Sequence, residues 1–110
     1  MTQNDLNTFH GFFIEDLKVG QRAELKKKIT DNDILKFAQL TGDNNPVHTN
    51  DEFAEKTIFK KRIAHGFLSA SFISTAIATK LPGPGSIYLR QSLKFLAPVF
   101  IDEEILVNIS

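Results

Sequence analysis

Apolar and polar residues alternate from Gln21 to Ile29, with Ala23, Leu25, Lys27 and Ile29 on one side and Arg22, Glu24, Lys26 and Lys28 on the other. A period of two predicts a half-buried strand. Thr30 followed three residues later by Asp33 is a helix-start signal, and Ile34, Phe37, Ala38 and Thr41 then recur at helical spacing until Gly42 stops the run. Asp43-Asn44-Asn45-Pro46 predicts an ordered turn, because Asp and Asn side chains bond their own backbone and Pro46 disfavours a helical Asn45. Asn50, Asp51 and Glu52 are placed to cap a brief helix through Ala54.

From Gly66 to Lys80 the pattern is again helical, about 22 Å long at 1.5 Å per residue. Phe67, Leu68, Ala70, Phe72, Ile73, Ala76 and Ile77 leave it no wide polar face, so it is expected to be wrapped by the rest of the fold. Pro82-Gly83-Pro84-Gly85 ends it, and Ser86 to Phe95 alternates through Ile87, Leu89, Leu93 and Phe95 as a strand. Pro98 bends or ends that strand, Asp102-Glu103-Glu104 makes a turn, and Ile105 to Ile109 begins another strand. Residues 1–8 read as a solvated tail, and Phe9, Phe12, Phe13 and Ile14 as an apolar cluster that needs a cover. A sheet around one central helix, an α+β class, satisfies this order.

Composition narrows the function classes. At 110 residues, 42% hydrophobic and 24% charged, the chain reads as one globular domain, residues 1–110, with a modest core that oligomerisation would help. Thirteen basic against thirteen acidic residues give zero net charge, without the footprint of a nucleic-acid binder. The absence of cysteine excludes disulfides, thiolate metal sites and a Cys nucleophile. No apolar run nears the roughly 20 residues of a membrane helix, and the polar start is unlike a signal peptide, so no membrane partner and a cytoplasmic location are expected.

The candidate chemistry sits in Gly42-Asp43-Asn44-Asn45-Pro46-Val47-His48. A carboxylate and an imidazole brought together by a rigid turn suit proton transfer near neutral pH. By spacing alone, Asp43 and Asn44 read first as Asx turns and His48 as a surface or core-edge histidine. Gly66 stands where the buried helix begins; judged alone it reads first as a plain N-cap or packing glycine, and second as an oxyanion site formed by its free N–H and the helix dipole. His65 is the weaker candidate for catalysis. Lys60, Lys61 and Arg62 read first as a solvated charge run and second as partners for phosphates.

Taken together, these residues resemble the MaoC-like (R)-specific enoyl-CoA hydratases. The shared motif is Gly42-Asp43-Asn44-Asn45-Pro46-Val47-His48, closed by Ala54, and the likeness continues through Arg62-Ile63-Ala64-His65-Gly66-Phe67-Leu68, Leu81 to Leu89, Gln91 to Phe95 and Pro98-Val99, covering residues 15 to 110. The resemblance implies a hot-dog fold, with an antiparallel sheet wrapped around a long central helix. It also implies an acyl-CoA thioester substrate and a homodimer or higher homo-oligomer.

The resemblance makes Asp43 and His48 the acid/base pair and Gly66 the oxyanion hole, for reversible addition of water to a trans-2-enoyl-CoA giving an (R)-3-hydroxyacyl-CoA. Ser74 and Ile77 fall where similar enzymes line the acyl pocket, although on the helix pattern alone they read as core packing. No metal and no redox cofactor are expected, coenzyme A being part of the substrate. Similar chains run on beyond the position of Ser110, so the C-terminal strands of the sheet are expected to be missing here. Two other readings stay open: a non-catalytic acyl-thioester-binding fragment, and a related hot-dog enzyme. Within the latter, the intact Asp43–His48 motif argues more against a thioesterase than against a 3-hydroxyacyl-carrier-protein dehydratase.

Overall fold

The structure, a computed structural model, describes residues 10–110; the expected tail and Phe9 lie outside the described residues. Its elements are a single 3-10 turn (Ile14–Asp16), β1 (Ala23–Lys28), α1 (Asp31–Thr41), α2 (Pro46–Thr49), α3 (Asp51–Glu55), α4 (Gly66–Thr79) and β2 (Glu104–Ile109). The alternation along β1 is realised as drawn, with Ala23, Leu25 and Lys27 turned inward and Glu24, Lys26 and Lys28 outward.

Just past β1, Ile29 N–H donates to Glu103 O at 2.9 Å and Ile29 O accepts from Asp102 N–H at 2.6 Å. The end of β1 therefore meets the start of β2, and the two strands pair antiparallel as one two-stranded sheet.

Helix α1 begins and ends as its sequence dictates. Thr30 Oγ1 accepts from Asp33 N–H at 3.1 Å while the Asp33 carboxylate accepts from Thr30 N–H at 3.0 Å, a reciprocal box that satisfies two donors of the first turn. The bond from the Thr30 backbone is the main reason the Asp33 carboxyl lies below its usual value. Thr30→Ala is expected to lower stability by about 1 kcal/mol in a denaturant titration. At the other end Gly42 takes φ +80° and returns its N–H to Ala38 O at 2.8 Å, a left-handed cap that a side chain would strain.

The described chain forms two compact units. One takes Lys27–Ala70 with Leu93–Ile105; its core is Ile29, Ile34, Ala38, Ala54, Ala64, Leu68 and Ala70. The other takes the described residues up to Lys26 with Ser71–Ser92 and Leu106–Ser110, and buries Ala76, Leu81 and Val107. In this second unit Gly11 and Phe12 donate to Pro84 O and Pro82 O, each at 2.7 Å. A Cβ on Gly11 would lie 2.0 Å from Pro82 O, so only glycine permits that approach.

Two expectations need correcting. Ser86 to Phe95 is irregular, because no neighbouring strand among the described residues offers it a ladder, and Ile87, Leu89 and Phe95 stay exposed. Helix α4 buries Leu68, Ala70 and Ala76 and leaves Phe67 66% exposed. Phe12, Phe13 and Ile14 are likewise exposed rather than covered. No helix is long and apolar enough to cross a membrane among the described residues.

Candidate active site

The loop after α1 is built from side chains that bond the backbone just ahead of them. Thr41 Oγ1 donates to Phe37 O at 2.8 Å and accepts from Asp43 N–H at 3.2 Å; Asp43 Oδ1 accepts from Asn45 N–H at 3.4 Å; Asn45 Oδ1 accepts from Val47 N–H at 3.2 Å. Pro46 takes the first position of α2, where its missing N–H costs nothing. This relay turns the chain within five residues and brings Asp43 and His48 to one side.

Two carbonyls then fix the imidazoles. His48 Nδ1 lies 2.8 Å from Ile63 O, and His65 Nε2 lies 3.0 Å from Asp43 O. A carbonyl only accepts, so each of these nitrogens bears the proton and the opposite nitrogen, Nε2 of His48 and Nδ1 of His65, presents a lone pair. The two rings stack with centroids 4.0 Å apart and 30° between planes, and Phe37 packs on His65 at 4.8 Å.

A carboxylate oxygen of Asp43 and one nitrogen of each histidine lie within 4.8 Å of one another. One water, about 2.8 Å from each partner, bridges such a gap. Burial is the leading cause that holds the His48 imidazole below its ordinary 6.5; the charge of neighbouring His65 adds to it, against the Ile63 carbonyl and Asp43. A neutral, one-sided base results.

Arg62 corrects the reading of residues 60–62 as a solvated run. Lys60 and Lys61 are exposed, but Arg62 is 7% exposed and donates through Nε to His48 O at 2.7 Å and through Nη2 to Asp31 at 2.5 Å; Asp51 lies 3.8 Å from Nη1. Its role is to anchor the backbone of His48. The five donors of a guanidinium allow this, and a cluster of like charges in sequence gave no sign of it.

The base faces a cavity of about 510 Å³ lined by Asp43, His48, Gly66, Phe67, Ser69 and Phe95 among others, inside the unit Lys27–Ala70 with Leu93–Ile105. That volume lies in the range of small-molecule sites, roughly 300–1,000 Å³. Leu68 and Ser69 N–H are taken by His65 O at 3.1 and 3.3 Å, so the amides left at the start of α4 are those of Gly66 and Phe67, on the cavity wall. A Cβ on Gly66 would come within 3.0–3.2 Å of the Phe95 ring, so glycine keeps this amide close to the wall.

The structure thus brings Asp43, His48 and Gly66 together. Ser74, exposed, and Ile77, half-buried, belong to the other unit, where Ile77 O accepts from Gly83 N–H at 2.9 Å. Sequence reasoning undervalued His65 and missed Ser69. His65 is 2% exposed and its Nδ1, like Ser69 Oγ, is buried without a hydrogen-bond partner among the described residues. Their placement at the turn into α4, beside the glycine, was the available signal.

The chain belongs to the family of the MaoC like domain, whose model matches residues 15–110. Its fold is the hot-dog fold of the solved (R)-hydratases. It is 52% identical over 98 residues to the (R)-specific enoyl-CoA hydratase of Rhodospirillum rubrum, covering 89% of this chain and 68% of that protein. It is 46% identical to the 3-hydroxybutyryl-CoA dehydratase of Methylorubrum extorquens, covering 88% and 62%. The unliganded R-hydratase of Pseudomonas aeruginosa superposes with a TM-score of 0.81 at 50% identity, over 86% of this chain and 61% of that one. This chain therefore spans about two thirds of the length of these relatives.

Proposed function

We propose that the protein is a hydro-lyase that reversibly adds water to a trans-2-enoyl-CoA, giving the (R)-3-hydroxyacyl-CoA. The observation that carries this reading is the placement of the Asp43 carboxylate within 4.8 Å of a His48 ring nitrogen, at a cavity also lined by Gly66 and Phe67 at the start of α4. Water held by Asp43 and His48 gives a proton to that pair as its oxygen bonds to C3 of the enoyl group. Charge moves onto the thioester oxygen, which the Gly66 amide and the positive end of α4 stabilise. The pair then returns a proton to C2, so one water is added and the pair is regenerated.

Reversal eliminates water from the (R)-3-hydroxyacyl thioester, in keeping with the relative named for dehydration. In this reading no cofactor takes part, and the chain works as a cytoplasmic homo-oligomer.

Loss of enoyl-thioester absorbance, measured on crotonyl-CoA and on crotonyl-carrier protein, tests the reaction and the carrier together. Turnover of the coenzyme A thioester is expected. Turnover of the carrier-protein thioester alone would move the assignment to a carrier-protein dehydratase, and binding without turnover of either would make this an acyl-thioester-binding module.

The depressed His48 value sets the pH profile. A base whose folded value is lowered binds fewer protons than in the unfolded chain, so its contribution to stability is present above 6.5 and is lost as pH falls through the folded value. The acid limb of kcat/KM is therefore expected to bend below 6.5.

A further inference from the structure

We propose that His65 is a positioning residue of the site: it sets Asp43 against His48, and both against the amide of Gly66, without itself exchanging a proton with substrate. What it positions rests on the hydratase reading. The contacts by which it does so stand without that reading.

One residue touches all three groups. The Nε2–H of His65 donates to Asp43 O at 3.0 Å, and its ring lies against that of His48 with centroids 4.0 Å apart. Gly66 follows it in the chain, and the His65 carbonyl accepts from Leu68 and Ser69 N–H at 3.1 and 3.3 Å, which closes the first turn of α4. His48 has further anchors, Ile63 O on its ring and Arg62 Nε on its carbonyl. The bonds from Asp43 to Thr41 and Asn45, by contrast, stay within two positions of it. The bond from His65 is what ties the loop bearing the carboxylate to a residue 22 positions away, at the threshold of α4.

Packing alone does not account for a histidine here. The residue is 2% exposed, and its Nδ1 is buried with no hydrogen-bond partner among the described residues. A buried polar atom without a partner opposes folding, so an apolar ring would fill this place more favourably. What an apolar ring lacks is the N–H that Asp43 O receives. Neither nitrogen is open to substrate, since Nε2 is spent on that carbonyl and Nδ1 is buried. His65 therefore acts through Asp43 and His48 and is not a second base.

The test compares His65→Gln with His65→Asn. Both remove the ring, so a merely structural role would lower activity and melting temperature alike in the two. They differ in reach: the glutamine amide nitrogen extends as far as Nε2 of the ring, the asparagine amide only as far as Nδ1. On crotonyl-CoA, His65→Gln is expected to keep kcat within about tenfold of wild type and His65→Asn to lose roughly 10²-fold, the cost of a displacement of about 1 Å in a catalytic group, with KM little changed. Equal kcat in the two folded variants, or a loss confined to KM, would overturn the proposal. A ¹⁵N spectrum of the wild-type imidazoles gives a second reading that needs neither variants nor turnover. His65 protonated on Nε2 is expected there, and protonation on Nδ1 would overturn the proposal even if neither variant folds. A wild-type chain that turns over no enoyl thioester would instead sink the hydratase reading, the spectrum still deciding the His65 bond.

Discussion

Asp43→Asn is expected to lower kcat/KM for crotonyl-CoA hydration about 10²- to 10⁴-fold, the range of a lost proton-transfer group, while leaving the melting transition in place. The two halves of the expectation have different causes. Asparagine keeps an oxygen that can accept from Asn45 N–H, a contact of 3.4 Å that is weak at the outset, and the position is exposed, so folding loses little. It does not keep the charge that makes a bridging water a base.

His48→Ala should cost a similar factor, together with some stability, because the half-buried ring is bound to Ile63 O and stacked on His65. The double variant should be barely worse than either single one, since the two act as a unit on one proton. Multiplication of the two losses in initial-rate kinetics would contradict a shared role.

The second large effect is expected at Arg62, which does not line the cavity. Arg62→Met removes a charged donor from His48 O and leaves Asp31 without its 2.5 Å partner. A hydrogen bond to a charged group contributes about 1.5–3 kcal/mol. The pairs with Asp31 and Asp51 add little, because those carboxylates are 51% and 85% exposed and water replaces the guanidinium. A loss of about 2 kcal/mol lowers Tm by about 8–16 °C in a domain of this size.

Activity should fall further than stability alone explains. The His48 carbonyl loses its anchor, and a displacement of about 1 Å in a catalytic group can cost roughly 10²-fold. Arg62→Lys should recover part of the stability but not kcat, since an ammonium cannot reproduce the fork that spans His48 and Asp31. Full recovery of kcat by lysine, measured beside thermal melting, would reduce Arg62 to a charge.

Local signals in the sequence translated well. The Thr30–Asp33 box, the Gly42 cap, the Asx relay from Asp43 to Pro46 and the Asn50 cap all depend on residues within a few positions of one another, and the structure realises each. What the sequence could not show is which distant groups meet. The alternation of Ser86 to Phe95 states what a strand there would bury but not whether a neighbour exists to pair with it; no ladder forms on it among the described residues.

Arg62 and His65 illustrate the same point at the site. Arg62 reads as one of three consecutive cations, and only the fold brings Asp31 and the His48 carbonyl to it. His65 reads as an incidental neighbour of Gly66, yet its ring stacks on one member of the pair and its N–H holds the backbone of the other.

The measurement that bears most directly on the Asp43–His48 assignment is the configuration and rate of product formed from crotonyl-CoA by the wild-type chain and by Asp43→Asn. Formation of the (R)-3-hydroxy product by the wild type, and its loss by about 10² or more in the variant, is the predicted result. An (S) product, or an Asp43→Asn variant that turns over at the wild-type rate, would contradict it.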